Sequence, residues 1–172
     1  MKIRPATTAD AAAIVAIYAP YVEQTVITFD LEVPTVESYQ TKIQMIQQTH
    51  PFFVAESAGE VVGYAYASSY YGRAAYVQTA EISLYIRQTE RQSGVGTCLY
   101  QTLETALREQ GVQTLLSCLA YPNDASEQFH LKHGFHRVGH FEKVGYKFGQ
   151  WHDTIWLQKH IGNFEQKSWQ SK

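Results

Sequence analysis

The residue types and spacing that first suggest chemistry are those of Arg91-Gln92-Ser93-Gly94-Val95-Gly96. Before this stretch, Ile82, Leu84 and Ile86 alternate with Ser83 and Tyr85, the period of a strand. After it, Val95, Cys98, Leu99, Leu103, Ala106 and Leu107 recur at the spacing of one helix face. A helix start carries backbone N–H groups without intrahelical partners, at the positive end of the helix dipole. Glycines let an anion approach that backbone, and Arg91 adds a full charge, so a diphosphate fits. On these residues alone a second reading stays open, in which the glycines only relieve a tight turn. Neither common nucleotide signature is met. There is no Gly-x-x-x-x-Gly-Lys-Ser/Thr, and Gly94-Val95-Gly96-Thr97-Cys98-Leu99 lacks a third glycine.

The elements that must position this turn follow from pattern and punctuation. Lys2 to Arg4 reads as a short strand stopped by Pro5, and Thr7-x-x-Asp10 as a capping pair. The helix that follows buries Ile14, Ile17, Tyr18, Tyr21 and Val22, and Pro20 is expected to kink or break it. Thr25 to Leu31 is a loop. Pro34-Thr35 opens a second helix with Val36, Tyr39, Ile43 and Ile46 inward, ending before Pro51. Phe52 to Ser57 and Val61 to Ser68 form a hairpin through Ala58-Gly59-Glu60, and Tyr70 to Ala75 is a polar, aromatic loop. Strands are expected over Tyr76 to Ile86 and Val112 to Ala120, with a helix from Val95 to Gln110 between them, closed by Gly111. Asn123 or Asp124 caps a short helix ended by Gly134, and Phe135 to Lys143 and Trp151 to Gln158 form a final strand pair. The order is that of an α/β chain with a mixed sheet flanked by helices, in which ligands sit beyond the carboxyl ends of the central strands. Ile86 to Gly96 and Ala120 to Asn123 would then border one cleft.

The 172 residues make one domain, taken as 1–162, with a polar tail over 163–172. Apolar residues make up 45% and aromatics 13%, which suits a folded core. A net charge of −2 without a basic cluster gives no indication of nucleic acid. Cys98 and Cys118 sit in apolar stretches, as buried free thiols would. No apolar leader or membrane-length run occurs, and the cytoplasm is the expected compartment. His130 and His133 lie one helical turn apart, with His136 and His140 beyond, but no cysteine or carboxylate joins them at ligand spacing, so no metal is expected.

Arg91-x-x-Gly94-x-Gly96 after an apolar strand, with Asn123 on a later loop, resembles the acetyl-CoA site of the GNAT acyltransferase superfamily. A longer ordered series surrounds it: Tyr76, Thr79-Ala80-Glu81 and Tyr85, then Pro122-Asn123-Asp124, Ser126, His130 and Gly134-Phe135, then Gly145-Tyr146-Lys147-x-Gly149-x-Trp151-x-Asp153. That series is similar to the phosphinothricin N-acetyltransferase family, which also acts on methionine sulfone and methionine sulfoximine. It covers the chain from Ile3-Arg4 to about Gln158.

The resemblance implies the GNAT fold, a mostly antiparallel central sheet whose two middle strands splay apart. It implies acetyl-CoA as co-substrate, with Arg91, Gln92, Ser93, Gly94, Val95 and Gly96 at its diphosphate and Asn123 and Ser126 at its pantetheine. The backbone of Leu84, Tyr85 and Ile86 would pair with the pantetheine and supply the oxyanion donor. Glu81 matches the family glutamate proposed as base toward the amine, directly or through water. His130 stands where many GNAT enzymes carry an acidic tyrosine, and either donates a proton to the thiolate or packs under the cofactor. On the acceptor side the resemblance implies Phe29, Arg73, Tyr76 and Thr79, with Lys147 reaching in from a neighbouring subunit of a homodimer. Arg73 suits a carboxylate because guanidinium binds it bidentately. Asp30 replaces a common family glutamate. Alternative functions are acetylation of a polyamine or peptide N-terminus, CoA binding without catalysis, and a phosphate-binding interaction domain.

Overall fold

The computed structural model describes residues 1–90 and 93–164. Its strands are β1 (Lys2–Pro5), β2 (Phe52–Ser57), β3 (Glu60–Ser69), β4 (Thr79–Ile86), β5 (Thr114–Tyr121), β6 (His136–Lys147) and β7 (Gln150–His160). Its α-helices are α1 (Ala11–Gln24), α2 (Val36–Gln47), α3 (Val95–Glu109) and α4 (Asp124–Lys132). The strands form one sheet in the order β1-β2-β3-β4-β5-β7-β6. Only β4 and β5 pair in parallel, joined by the crossover helix α3; the other neighbours are antiparallel. The expected mixed, mostly antiparallel sheet is present.

Alternation of side chains gives the sheet two apolar faces, each covered by helix. On one, α3 buries Val95, Leu99, Tyr100, Leu103 and Leu107 against Ala80, Ile82, Leu115, Leu119, Ile155 and Leu157. On the other, α1 and α2 bury Ile14, Ile17, Tyr18, Tyr21, Tyr39 and Ile43 against Phe52, Val54 and Tyr64. No helix among the described residues is long and apolar enough to cross a membrane. Cys98 and Cys118 are free, and half-buried rather than fully buried.

The structure departs from the sequence expectations where tertiary contacts outweigh local signals. Of the two expectations at Pro20, the break does not occur: α1 runs on through it, with Tyr18, Tyr21 and Val22 buried around it. Proline removes one intrahelical hydrogen bond, and the burial of three large side chains around it offsets that loss. β4 starts at Thr79, because Ala74–Tyr76 form a 3₁₀ turn. β6 continues to Lys147, beyond the expected Lys143. Its hairpin closes through Phe148 and Gly149, both at positive φ (52° and 73°), with Lys147 opposite Gln150. Two consecutive positive φ values define the turn whose twist suits a hairpin, but a phenylalanine is an unusual signal for it. The ribbon also absorbs Glu142 to Val144 as a bulge between the Phe141–Thr154 and Gly145–His152 pairs.

At the amino terminus, the buried Asp10 fastens β1 to the start of α1. Its carboxylate accepts two hydrogen bonds from the Arg4 guanidinium, at 2.8 Å each, and the Thr7 N–H at 2.7 Å. The Arg4 hydrogen bonds hold the Asp10 carboxyl below its ordinary pKa. A carboxyl with a lowered folded pKa stabilises fully above the unfolded value of about 3.9, and that contribution fades as pH falls through the folded value. Asp10→Asn should therefore destabilise the fold at pH 7 by about 1.5–3 kcal/mol, the range for hydrogen bonds to charged groups. Urea unfolding at pH 7 and below pH about 3.9 checks this, with the wild-type advantage shrinking in acid.

Candidate active site

β4 and β5 pair over only three residues each, Thr79–Glu81 against Thr114–Leu116. Past Glu81 and Leu116 the strands part. β4 goes on beside β3 as far as Ile86, and β5 beside β7 as far as Tyr121. Glu81 therefore stands at the vertex of a splayed pair. It is half-buried, and burial raises its carboxyl above the ordinary value. Beside it on β5 lies Cys118, whose thiol burial pushes up to about 11, with the Glu81 carboxylate adding to the shift.

The orientation of the β4 backbone follows from one contact. Arg87 N–H donates to Val62 O on β3 at 2.8 Å. Because successive residues of a strand point their hydrogen-bonding groups to opposite sides, Tyr85 and Ser83 also face β3. Leu84 and Ile86 then turn theirs into the gap. The Ile86 carbonyl is taken by the Tyr21 hydroxyl at 2.6 Å, which leaves the Leu84 N–H and C=O and the Ile86 N–H facing the gap. An extended chain laid between the strands would meet them as a third strand does.

At the end of β4, Gly94 precedes α3 in the left-handed conformation, φ 84°, with no side-chain cap on the helix start. A β-carbon there would meet nothing within 4 Å. Gly94 is thus needed for its conformation rather than for close packing. Gly96 answers a different need: a β-carbon there would lie 2.8 Å from Ile86 Cδ1, so this glycine lets α3 sit close on β4. The Ser93 hydroxyl donates to Glu90 O, and Val95 is buried. Arg91 and Gln92 lie outside the described residues.

On the far rim, the Asn123 side chain caps α4, its carbonyl oxygen accepting from Ser126 N at 3.4 Å. One turn on, His130 is buried with Nδ1 2.7 Å from Ser126 O. Only a protonated Nδ1 can donate to that carbonyl, which leaves Nε2 without a proton in the neutral ring. Burial lowers the His130 pKa, favouring that neutral form. Its ring packs on Phe135 (centroids 5.0 Å) and Phe129 (5.5 Å).

Two loops lie on the Glu81 face of the sheet. In the first, residues 70–78, the Tyr70 ring lies 5.9 Å from that of Trp156, the residue opposite Cys118 across β5 and β7. Arg73 and Tyr76 are exposed on this loop, with the Arg73 guanidinium 5.9 Å from the Tyr71 ring, and Thr79 begins β4 just after it. In the second, residues 25–35, the Tyr18 hydroxyl holds Thr28 (2.5 Å) and Asp30 (2.7 Å), while the Tyr18 ring stands edge-on to Tyr85 at 4.9 Å. Phe29 lies half-buried over Gly145, its ring 6.1 Å from that of His152. Lys147 is buried and gives its ammonium to Thr28 O of its own chain at 2.8 Å, so it turns inward rather than toward a neighbouring subunit.

Sequence reasoning missed Cys118 beside Glu81 and the Tyr18 and Thr28 pair beneath the second loop. The strand alternation would have placed Cys118, had the register of β4 and β5 been known. A surface hollow of about 380 Å³ lined by Tyr100, Gln101, Glu104, Thr105, His133 and Lys159 contains none of the candidate residues.

Comparison with known proteins agrees with this geometry. The acetyltransferase (GNAT) domain family matches residues 3–156. The chain is 34% identical over 159 residues to phosphinothricin N-acetyltransferase of Streptomyces viridochromogenes, covering 92% of this chain and 87% of that one. It is 32% identical over 162 residues to L-methionine sulfoximine/L-methionine sulfone acetyltransferase of Pseudomonas paraeruginosa, covering 93% and 94%. Among solved structures, a GNAT superfamily phosphinothricin acetyltransferase from Sinorhizobium meliloti in complex with acetyl-CoA superposes with a TM-score of 0.90 at 29% identity, covering 94% of this chain and 88% of that one. The splayed strands, the glycine turn into α3 and these similarities along the whole sheet identify the chain as a member of the GNAT acetyltransferase family.

Proposed function

We propose that this protein transfers the acetyl group of acetyl-CoA to the α-amine of a small amino acid, with methionine sulfone, methionine sulfoximine and phosphinothricin as the substrate class. The observation that carries the proposal is a half-buried carboxylate at the vertex of the splay, on the face where both loops lie. The names of the relatives and the acetyl-CoA in the structural neighbour support it.

In this reading the pantetheine arm of the co-substrate lies along the gap-facing backbone of Leu84 and Ile86. One of those N–H groups, aimed at the thioester oxygen, stabilises charge as the tetrahedral intermediate forms. Ser93, Gly94, Val95 and Gly96, with Arg91 and Gln92, hold the diphosphate, and Asn123 and Ser126 border the pantetheine. Arg73 takes the substrate carboxylate, and Phe29, Tyr76 and Thr79 wall the acceptor pocket. Glu81 removes a proton from the bound ammonium so that the free amine attacks. Burial raises its pKa, the direction that strengthens a base. His130 is assigned to packing: a neutral ring whose only N–H is given to Ser126 O has no proton to offer the departing thiolate. A homodimer is also proposed. β6 is an edge strand of the sheet, and its ribbon exposes Val138, Phe141, Val144, Tyr146 and Trp151.

A thiol-release assay with acetyl-CoA and a panel of amines tests the substrate class, with methionine sulfone and phosphinothricin turned over and a polyamine and a peptide N-terminus refused. Glu81→Gln keeps the shape and removes the base, so kcat and kcat/KM should fall together by about 10²–10⁴-fold. That deficit should shrink as pH rises, because more of the substrate amine is then already free. Full kcat in the variant at neutral pH would remove Glu81 from the mechanism.

Cys118 offers a separate check on the charge at the vertex. With its thiol raised to about 11, the thiolate available at pH 8 is on the order of a hundredfold below that of free cysteine. Alkylation followed by mass spectrometry should find Cys118 correspondingly slow. Glu81→Gln should speed it, since a neighbouring negative charge is gone.

A further inference from the structure

The residue left unexplained by the proposed chemistry is Lys147. Its side chain is buried, with 3% of its surface exposed, yet no carboxylate among the described residues lies within ion-pair distance of it. A buried ammonium is held by hydrogen bonds and by nearby aromatic faces, or it is not tolerated. Here Nζ donates to Thr28 O at 2.8 Å and stands 5.1 Å from the centre of the Phe148 ring. Burial lowers its pKa, partly opposed by the charge of Asp30. The side chain therefore spends its one cation on the backbone of a loop 119 residues away.

That loop is otherwise weakly built. Residues 25–35 contain no helix or strand, and its local hydrogen bonds run from Ile27 N to Thr25 Oγ1 and from Asp30 N to Thr28 Oγ1. It is fastened from two sides. From the β4 side, the Tyr18 hydroxyl holds Thr28 and Asp30, with Tyr18 packed on Tyr85. From the β6–β7 side, Lys147 holds Thr28 O, and Phe29 rests on the bare backbone of Gly145. A β-carbon at Gly145 would come within 2.7 Å of Phe29 Cδ2 and Cζ. His152 ties the same corner together, 6.1 Å from the Phe29 ring and with Nε2 3.0 Å from Lys147 O. β4 and β6–β7 lie on opposite sides of the splay. The loop thus spans the gap, and Lys147 and Gly145 are its attachment on the far bank.

We propose that Lys147 is a positioning residue that clamps the loop carrying Phe29 across the splayed strands, so that it shapes the acceptor pocket without touching the acceptor. The proposal rests on the acetyltransferase reading for its kinetic consequences, but the clamp itself does not. Lys147→Met keeps the unbranched side chain to within one atom of its length, is apolar in a buried place, and removes the hydrogen bond to Thr28. Gly145→Ala disturbs the same attachment from its other half, by displacing the Phe29 ring.

The experiment measures two things on wild type and both variants. Amide hydrogen exchange follows the backbone of residues 26–31. Steady-state kinetics use acetyl-CoA with methionine sulfone and with its carboxamide. The clamp predicts faster exchange over residues 26–31 in both variants, with β3 and β5 unchanged. It also predicts an acceptor KM about tenfold higher for the acid and the amide alike, with kcat and the acetyl-CoA KM within about threefold of wild type. A KM rise for the acid alone would mean that the ammonium binds the substrate carboxylate, and would overturn the proposal. Unchanged exchange over the loop, or faster exchange with an unchanged acceptor KM, would overturn it too. If wild type acetylates neither amine, the acetyltransferase reading fails on that result, while the exchange data still decide whether Lys147 holds the loop.

Discussion

Backbone hydrogen bonding is the constraint on which this structure depends. Strand residues need partners on both sides, and β4 and β5 serve each other for only three pairs. Beyond Glu81 each keeps its outer neighbour and loses its inner one. The outer pairings to β3 and β7 run the length of both strands, so the sheet survives the break. What remains is a row of donors and acceptors on the inner edge of β4, within a folded core. A polar edge of that kind is unfavourable unless something extended lies along it. The same geometry that opens the gap puts a carboxylate at its vertex and a glycine turn at its end.

The two faces of the split sheet are closed by different materials. The α3 face is covered by aliphatic packing, with Gly96 allowing the helix to sit directly on Ile86. The opposite face carries tyrosines. Tyr18, Tyr21, Tyr64 and Tyr85 pack ring against ring, and their hydroxyls reach Thr28, Asp30, the Ile86 carbonyl and Tyr39. Aromatic side chains supply apolar area and a polar tip together, so this face is rigid yet able to bind the ends of loops. The loops proposed to shape the acceptor pocket, residues 25–35 and 70–78, lie on this second face.

Parts of this arrangement were legible in the sequence because local signals carry them. The strand, glycine turn and helix of residues 82–107 follow from period and punctuation, and the parallel crossover follows from their order. The roles proposed for Glu81, Asn123 and the glycine turn were reached through resemblance. The splay was expected only through the resemblance and left no local mark, because the apolar alternation of β4 is the same where it is paired and where it is not. Three further features came from distant contacts. Burial on both flanks carries α1 through Pro20. Phe148-Gly149 turns the last hairpin without an asparagine to announce it. Lys147, a surface residue by type, points inward because a carbonyl on a loop 119 residues away receives it.

The central claim is that the inner edge of β4 is the binding surface for the extended pantetheine arm of acetyl-CoA. Residue-resolved amide exchange by NMR, with and without saturating acetyl-CoA, tests it directly. The account predicts strong new protection at the Leu84 and Ile86 amides, which face the gap. Ser83 and Tyr85, already bonded to β3, should change little. If acetyl-CoA binds, as read by a rise in thermal stability, and Leu84 and Ile86 exchange as fast as before, the pantetheine arm lies elsewhere and the account is contradicted.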